Sequence, residues 1–190
     1  MTTIVVVRKD HTAVIAADSL TTFGTTRLAP AYDRHPEKIT KYGDSYIGVA
    51  GSAAHQLVIE NLLERKRNLD LNGKNAIYES FRKLHPVLKD RAFLNPKEEE
   101  DDPYESSQMT VMIANPSGIY AVYSMREVFE LDRFWAIGSG RDFALGAMYT
   151  VYPRAKSAAE VARTGILAGA EFDTGTSEPI ALHEVRLARR

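Results

Sequence analysis

The sequence predicts an α+β fold: two antiparallel sheets stacked face to face, with a pair of helices outside each. Two observations carry this. Hydrophobic periodicity runs strands, two helices, strands, two helices, strand, without the strand–helix alternation that builds a parallel sheet. The opening strands are also apolar almost without interruption, as in a sheet covered on both faces.

Ile4 to Arg8 and Thr12 to Ala17 are the two opening strands, joined by a tight polar turn at Lys9-Asp10. Thr21 to Pro36, with Gly24, Pro30 and Pro36, reads as an irregular loop. A short strand is expected over Lys38–Tyr42, a turn at Gly43-Asp44 and a buried strand over Ser45–Ala50. From Ser52 the period becomes helical. Ala54, Leu57, Val58, Leu62 and Leu69 share one face, Glu60, Glu64, Arg65 and Lys66 the other, and Ser52 suits the N-cap. A second helix runs from about Lys74 to Leu88, its apolar face made by Ile77, Phe81, Leu84 and Leu88; Pro86 is expected to kink or end it. Asn95 to Ser107 holds Pro96, Pro103 and five consecutive acids, Glu98 to Asp102, and reads as a mobile surface loop without calcium-loop spacing.

Four strands follow. Met109–Ala114 and Gly118–Tyr123 flank a turn at Asn115-Pro116-Ser117; Val128–Leu131 and Phe134–Ile137 come next. Gly138-Ser139-Gly140 then opens a helix over Arg141–Tyr152. Another spans Ser157–Ala170, with Ser157 and Glu160 forming a capping box. Ile180–Val185 is the last strand, and no internal repeat stands out.

A chain of 190 residues with 44% hydrophobic content has enough material for a core and is expected to form one domain. A net charge of −1 supplies no global field toward nucleic acid or an anionic membrane, and Arg186, Arg189 and Arg190 read as a solvated tail. The absence of cysteine excludes disulfides, thiolate catalysis and Cys-ligated metals. With no membrane-length apolar run and no basic leader before the first strand, the expected location is the cytoplasm.

The first strand begins almost at the start of the chain. If Met1 is removed, Thr2 carries an α-amine and a hydroxyl on one residue. A threonine hydroxyl needs a nearby base, and an α-amine, titrating at roughly 7.7–8.0, suits that task. Alternatively, Thr2 merely follows the start codon. Asp18 ends a buried strand, where a carboxylate is costly unless paired. Lys38 and Lys41 are its nearest lysines, either as a structural ion pair or as a pair that tunes a nucleophile. Gly51 ends another strand at a helix start. Its N–H suits an oxyanion hole or an ordinary strand-to-helix turn. Gly138-Ser139-Gly140 lacks the length and lysine of a phosphate loop, and Ser139 is not in a nucleophile elbow. His11, His35, His55, His85 and His183 show no metal-ligand spacing and read as surface or helix residues. Trp135 reads as core or interface.

Several stretches together resemble proteasome β-type subunits over the whole chain, and HslV-type peptidases, which also begin Thr-Thr-Ile-Val, are especially similar. The stretches are Thr2-Thr3-Ile4-Val5, Ala16-Ala17-Asp18-Ser19, Thr22 with Gly24, Lys38-Ile39, Val49-Ala50-Gly51, Ala136-Ile137-Gly138-Ser139-Gly140, and Asp173 with Thr176. The length and single-methionine leader point to the betaproteobacterial branch of bacterial proteasome homologues. The resemblance implies the four-layer αββα sandwich of N-terminal-nucleophile hydrolases and a threonine-type endopeptidase acting on unfolded polypeptide, without cofactor or metal. By position, Thr2 would be the nucleophile and its α-amine the base, through a water. Asp18 and Lys38 would be the tuning pair, and Gly51 the oxyanion donor. Ser139, Asp173 and Thr176 would support the amine. A substrate strand would lie on Thr22, Ser52 and Ala53, and Leu20, Val49 and Ala53 would line a pocket for a small apolar side chain. Thr176 stands where proteasomes carry serine, Phe172 stands where they carry arginine, and the Thr21–Lys38 stretch is longer than in HslV.

The resemblance also implies a homo-oligomer of two stacked rings, with seven subunits per ring expected and six the alternative. An ATP-driven unfoldase is an implied partner; nucleic acid and membrane are not. A non-catalytic ring subunit, and an amidohydrolase acting on a small amide, are the competing readings. Thr2, Asp18 and Lys38 occurring together argue against the first.

Overall fold

The computed structural model describes residues 1–65, 69–97 and 99–188. Lys66, Glu98, Arg189 and Arg190, named above, lie outside the described residues. Strands β1 (Thr3–Lys9) and β2 (Thr12–Ala17) form the opening hairpin, followed by a small one, β3 (Thr21–Phe23) and β4 (Thr26–Leu28), and a 3-10 turn at Pro30–Tyr32. β5 (Ile39–Tyr42) and β6 (Ser45–Ala50) lead into α1 (Ala53–Arg65) and α2 (Lys74–Arg91). β7 (Thr110–Asn115), β8 (Gly118–Val122), β9 (Val128–Leu131) and β10 (Phe134–Gly138) follow, then α3 (Arg141–Val151), α4 (Ala158–Phe172) and β11 (Ala181–Arg186).

The larger strands form two antiparallel sheets, ordered β10-β1-β2-β11 and β5-β6-β7-β8-β9. Helices α3 and α4 cover the first and α1 and α2 the second, so three apolar layers separate four structural ones. The period of two along a strand explains the unbroken apolarity of β1 and β2. Ile4, Val6, Ala13, Ile15 and Ala17 face the other sheet, whereas Val5, Val7, Val14 and Ala16 face α3 and α4. Ile4 to Val7 are all fully buried, each contributing about 1.5–3 kcal/mol. The predicted αββα sandwich is therefore the observed architecture.

Three local expectations change. Thr21 to Pro36 is not wholly irregular, because β3 and β4 pair there, Thr22 opposite Arg27. Pro86 does not end α2, which continues to Arg91. Leu84, His85 and Leu88 are buried around Pro86, so packing on both sides outweighs the missing backbone donor. The first helix ends its described course at Arg65 rather than Leu69. Both N-caps follow the sequence: Ser52 Oγ accepts the Ala54 N–H (3.1 Å), and Ser157 Oγ accepts that of Glu160 (3.1 Å), although the Glu160 carboxylate closes back on the Lys156 N–H (2.8 Å) rather than on that of Ser157, so the capping box is only half formed.

The acidic stretch is tied at its base. Ser106 N–H donates to Pro96 O (2.8 Å), and Glu105 bonds both His85 and Lys89 of α2. Asn115 pins a second loop. Its fully buried amide donates to Leu71 O (2.6 Å) and accepts the Ser117 N–H (2.9 Å). Asn115→Ala leaves the buried Leu71 carbonyl without that donor and should cost about 1–3 kcal/mol, read as a lowered urea midpoint with unchanged m-value.

Candidate active site

The site forms where β1, β2 and β5 meet. Thr2 precedes β1 and is 6% exposed; Asp18 follows β2 and is wholly buried; Lys38 precedes β5 at 7%. The Asp18 carboxylate accepts from Thr2 Oγ1 (2.7 Å), Thr3 N (2.9 Å), Leu20 N (3.0 Å) and Lys38 Nζ (2.9 and 3.0 Å), with Ser177 N at 3.4 Å. Lys38 Nζ also donates to Thr2 Oγ1 (2.9 Å) and Leu20 O (2.5 Å). The pair is thus buried but fully hydrogen-bonded, the condition under which buried charge is tolerated. Lys41, the other candidate partner, is exposed and lies over the Tyr46 ring.

This geometry has a chemical consequence. The Thr2 hydroxyl gives its proton toward Asp18 and receives one from Lys38, so a positive charge sits 2.9 Å from the oxygen that would become an alkoxide. Burial lowers the Lys38 pKa below the ordinary lysine value, against the opposing attraction of Asp18 and, more weakly, Asp173.

A second network holds the Thr2 nitrogen. Its N–H donates to Ser139 Oγ (3.3 Å), and Ser139 Oγ donates to Asp173 Oδ2 (2.7 Å). Thr176 Oγ1 donates to the same oxygen (2.6 Å) and lies 2.6 Å from Thr3 Oγ1, which must then be the donor of that pair. All these hydroxyl protons point toward Asp173. Ser139 therefore meets the Thr2 nitrogen as an acceptor.

Asp173 is delivered by the C-terminus of α4, where its N–H caps Gly169 O (2.8 Å). Ser139 is delivered by the turn after β10. Gly138 has φ +93°, and a Cβ there would run into the Thr2 carbonyl; one at Gly140 would run into Thr3 Oγ1. The two glycines thus let this turn wrap the chain start.

A cleft of about 280 Å³ opens beside Thr2 and Lys38, lined by Gly51 and by Thr22, Val49, Ser52 and Ala53, the residues read from the sequence as candidate substrate contacts. Leu20 is a correction: its side chain is fully buried and absent from the cleft wall, and the residue serves the site through its backbone N–H and C=O. Thr21, Phe23 and Gln56 line the cleft without having been anticipated. Phe23 belongs to the hairpin read as loop, and Gln56 lies one turn along α1 from Ala53, the only signal that could have found it. Thr3 was also missed as a participant. Among the described residues nothing accepts from the Gly51 N–H. Met1 lines the cleft too; its amino group reaches Thr22 Oγ1 (3.4 Å) and its carbonyl lies 3.5 Å from Lys38 Nζ.

Of the remaining histidines singled out, His85 is buried between Glu105 and Arg126, and His183 stacks on Tyr46 and pairs with Glu37. Trp135 is 37% exposed and donates to Tyr123 Oη (2.8 Å). Among the described residues no helix is long and apolar enough to cross a membrane.

A four-layer αββα sandwich with a threonine at the head of its first strand, set against a buried Asp–Lys pair, is the N-terminal-nucleophile hydrolase fold of the proteasome type. Residues 1–185 match the proteasome subunit family, and the chain belongs to that family. The BPH protein of Thiobacillus denitrificans has the same structure at TM-score 0.92 and 38% identity, over 99% of this chain and 100% of that one. Its complex with epoxomicin matches at TM-score 0.92 and 36% identity, over 98% and 100%. Eukaryotic HslV from Trypanosoma brucei shares the fold at TM-score 0.73 with 21% identity, over 97% and 99%. The resemblance to proteasome β-type and HslV-like proteins read from the sequence therefore holds.

Proposed function

We propose that this subunit is a threonine-type endopeptidase in which Thr2, freed by removal of Met1, is the nucleophile. The observation that carries the proposal is the Thr2 hydroxyl held between Asp18 and Lys38 at the edge of an open cleft. Once Met1 is gone, the Thr2 nitrogen is an amine. Ser139, whose own proton is given to Asp173, takes one amine hydrogen and leaves the lone pair free to act as base.

The Thr2 oxygen attacks the scissile carbonyl while its proton passes, through a water, to the amine. The carbonyl π electrons move onto oxygen, which meets the Gly51 N–H. Collapse breaks the C–N bond, the amine returns the proton to the leaving nitrogen, and an ester on Thr2 remains for water to hydrolyse. Val49 and Ala53 favour a small apolar substrate side chain beside the scissile bond.

The family context supports a double ring with the sites inside, seven subunits per ring or six, fed with unfolded polypeptide by an ATP-driven unfoldase in the cytoplasm. The epoxomicin complex of BPH supports a related site here. A non-catalytic ring subunit is the competing reading, and it predicts permanent retention of Met1.

Native mass and turnover test the proposal together. The expected result is a ring of twelve or fourteen chains that degrades an unfolded protein to peptides. A monomer that hydrolyses only small amides, or an inert ring, would refute it. Gly51→Ala should lower kcat by at least about tenfold, since a Cβ there would lie 2.8 Å from His55 Nδ1 and 3.4 Å from Gln108 O. Single-turnover measurement would separate this from weaker binding.

A further inference from the structure

His55 lies at the third position of α1, with its imidazole turned back onto the Gly51–Ser52 turn. Nδ1 accepts the Ser52 N–H (3.1 Å), and the His55 N–H donates to Ser52 O (2.9 Å). A capping box ordinarily closes with Glu or Gln at this position; here a histidine closes it. A ring nitrogen that accepts a hydrogen bond carries no proton, so the neutral tautomer protonated on Nε2 is the one that fits.

Two consequences follow for Gly51. The Ser52 N–H is engaged by the ring, while nothing among the described residues accepts from the neighbouring Gly51 N–H. The ring also buttresses the Gly51 peptide, because Nδ1 lies only 2.8 Å from where a Gly51 Cβ would stand.

Resting on the threonine-peptidase reading above, we propose that His55 is a titratable positioning residue for the oxyanion turn. Neutral, it holds the Gly51 N–H toward the reacting carbonyl. Protonated, it can no longer accept from Ser52, the turn is released, and the site loses its oxyanion donor. The charged groups around this end of α1 are Lys38 across the cleft, Glu37, whose carboxylate pairs with His183, and Glu60, bonded by Thr40 and Gln56. β6 brings only Tyr46, stacked on His183, and β7 and residues 106–109 bring no titratable side chain. Burial alone therefore moves the His55 pKa, and it moves it down, keeping the ring neutral through the neutral pH range.

His55→Asn keeps an acceptor near the place of Nδ1 but does not titrate. His55→Leu keeps bulk without an acceptor. Peptide turnover by the processed ring and amide exchange of residues 50–58, corrected for intrinsic pH dependence, test the pair. His55→Leu should lose roughly ten- to a hundredfold in kcat with KM little changed, and His55→Asn should recover most of that loss. In the wild type, log kcat/KM should fall with slope one as the Thr2 amine protonates, then with slope two over the roughly one to two pH units in which His55 protonation removes that ten- to hundredfold, before returning to slope one. His55→Asn should hold slope one throughout. Exchange of residues 50–58 should accelerate over the same range in the wild type alone. His55→Leu matching the wild type, or His55→Asn keeping both the steep limb and the exchange step, would overturn the proposal. Turnover with neither pH signature would sink it and leave the peptidase standing. An inert ring that still shows the exchange step in the wild type and loses it in His55→Asn would sink the peptidase reading and uphold the cap.

Discussion

Thr2→Ala is expected to reduce peptide hydrolysis by at least about a thousandfold, because the nucleophile of a covalent mechanism has no substitute. The fold should survive. Without the hydroxyl, Asp18 still receives Lys38 and the N–H groups of Thr3 and Leu20, so no charge is left unpaired. The loss of stability should stay within about 1 kcal/mol. Turnover of a fluorogenic peptide and a urea midpoint, both at one protein concentration, give the two numbers. Substantial turnover by Thr2→Ala would place the nucleophile elsewhere.

Lys38→Ala should abolish turnover as well, but it should also weaken the fold. Lys38 is the sole cation bonded to the fully buried Asp18 among the described residues. Removing it strands a carboxylate that only backbone donors and the Thr2 hydroxyl still satisfy. Breaking a buried pair in this way costs about 3–5 kcal/mol, with the backbone N–H groups favouring the lower figure. The two variants therefore separate catalysis from support: Thr2→Ala loses activity alone, Lys38→Ala loses activity and stability together. A Lys38→Ala protein with wild-type turnover would show that Lys38 serves the fold only.

The layers were legible because β1 and β2 carry apolar residues on both faces, a pattern that only a doubly covered sheet explains. The β3–β4 hairpin was not, since its short strands are largely exposed and held by backbone pairing that no apolar alternation signals. Pro86 misled because local chemistry argues for a break, whereas Leu84 and Leu88 bury the helix on either side of it. Within the site, Thr2, Asp18 and Gly51 stand out by their placement at strand ends, whereas Lys38 is separated from Lys41 only by the family resemblance. Leu20 was misplaced because a residue after a strand end can turn inward or outward, and nothing local decides which. Thr3 and His55 act through a hydroxyl chain and a turn, and only the folded structure brings their partners within reach.

The most direct test of the central claim is the intact mass of the purified protein before and after treatment with epoxomicin, followed by peptide mapping. Chains lacking Met1 are expected, with one inhibitor adduct per chain located on the peptide that begins at Thr2. Chains that keep Met1 and take up no inhibitor would contradict that claim.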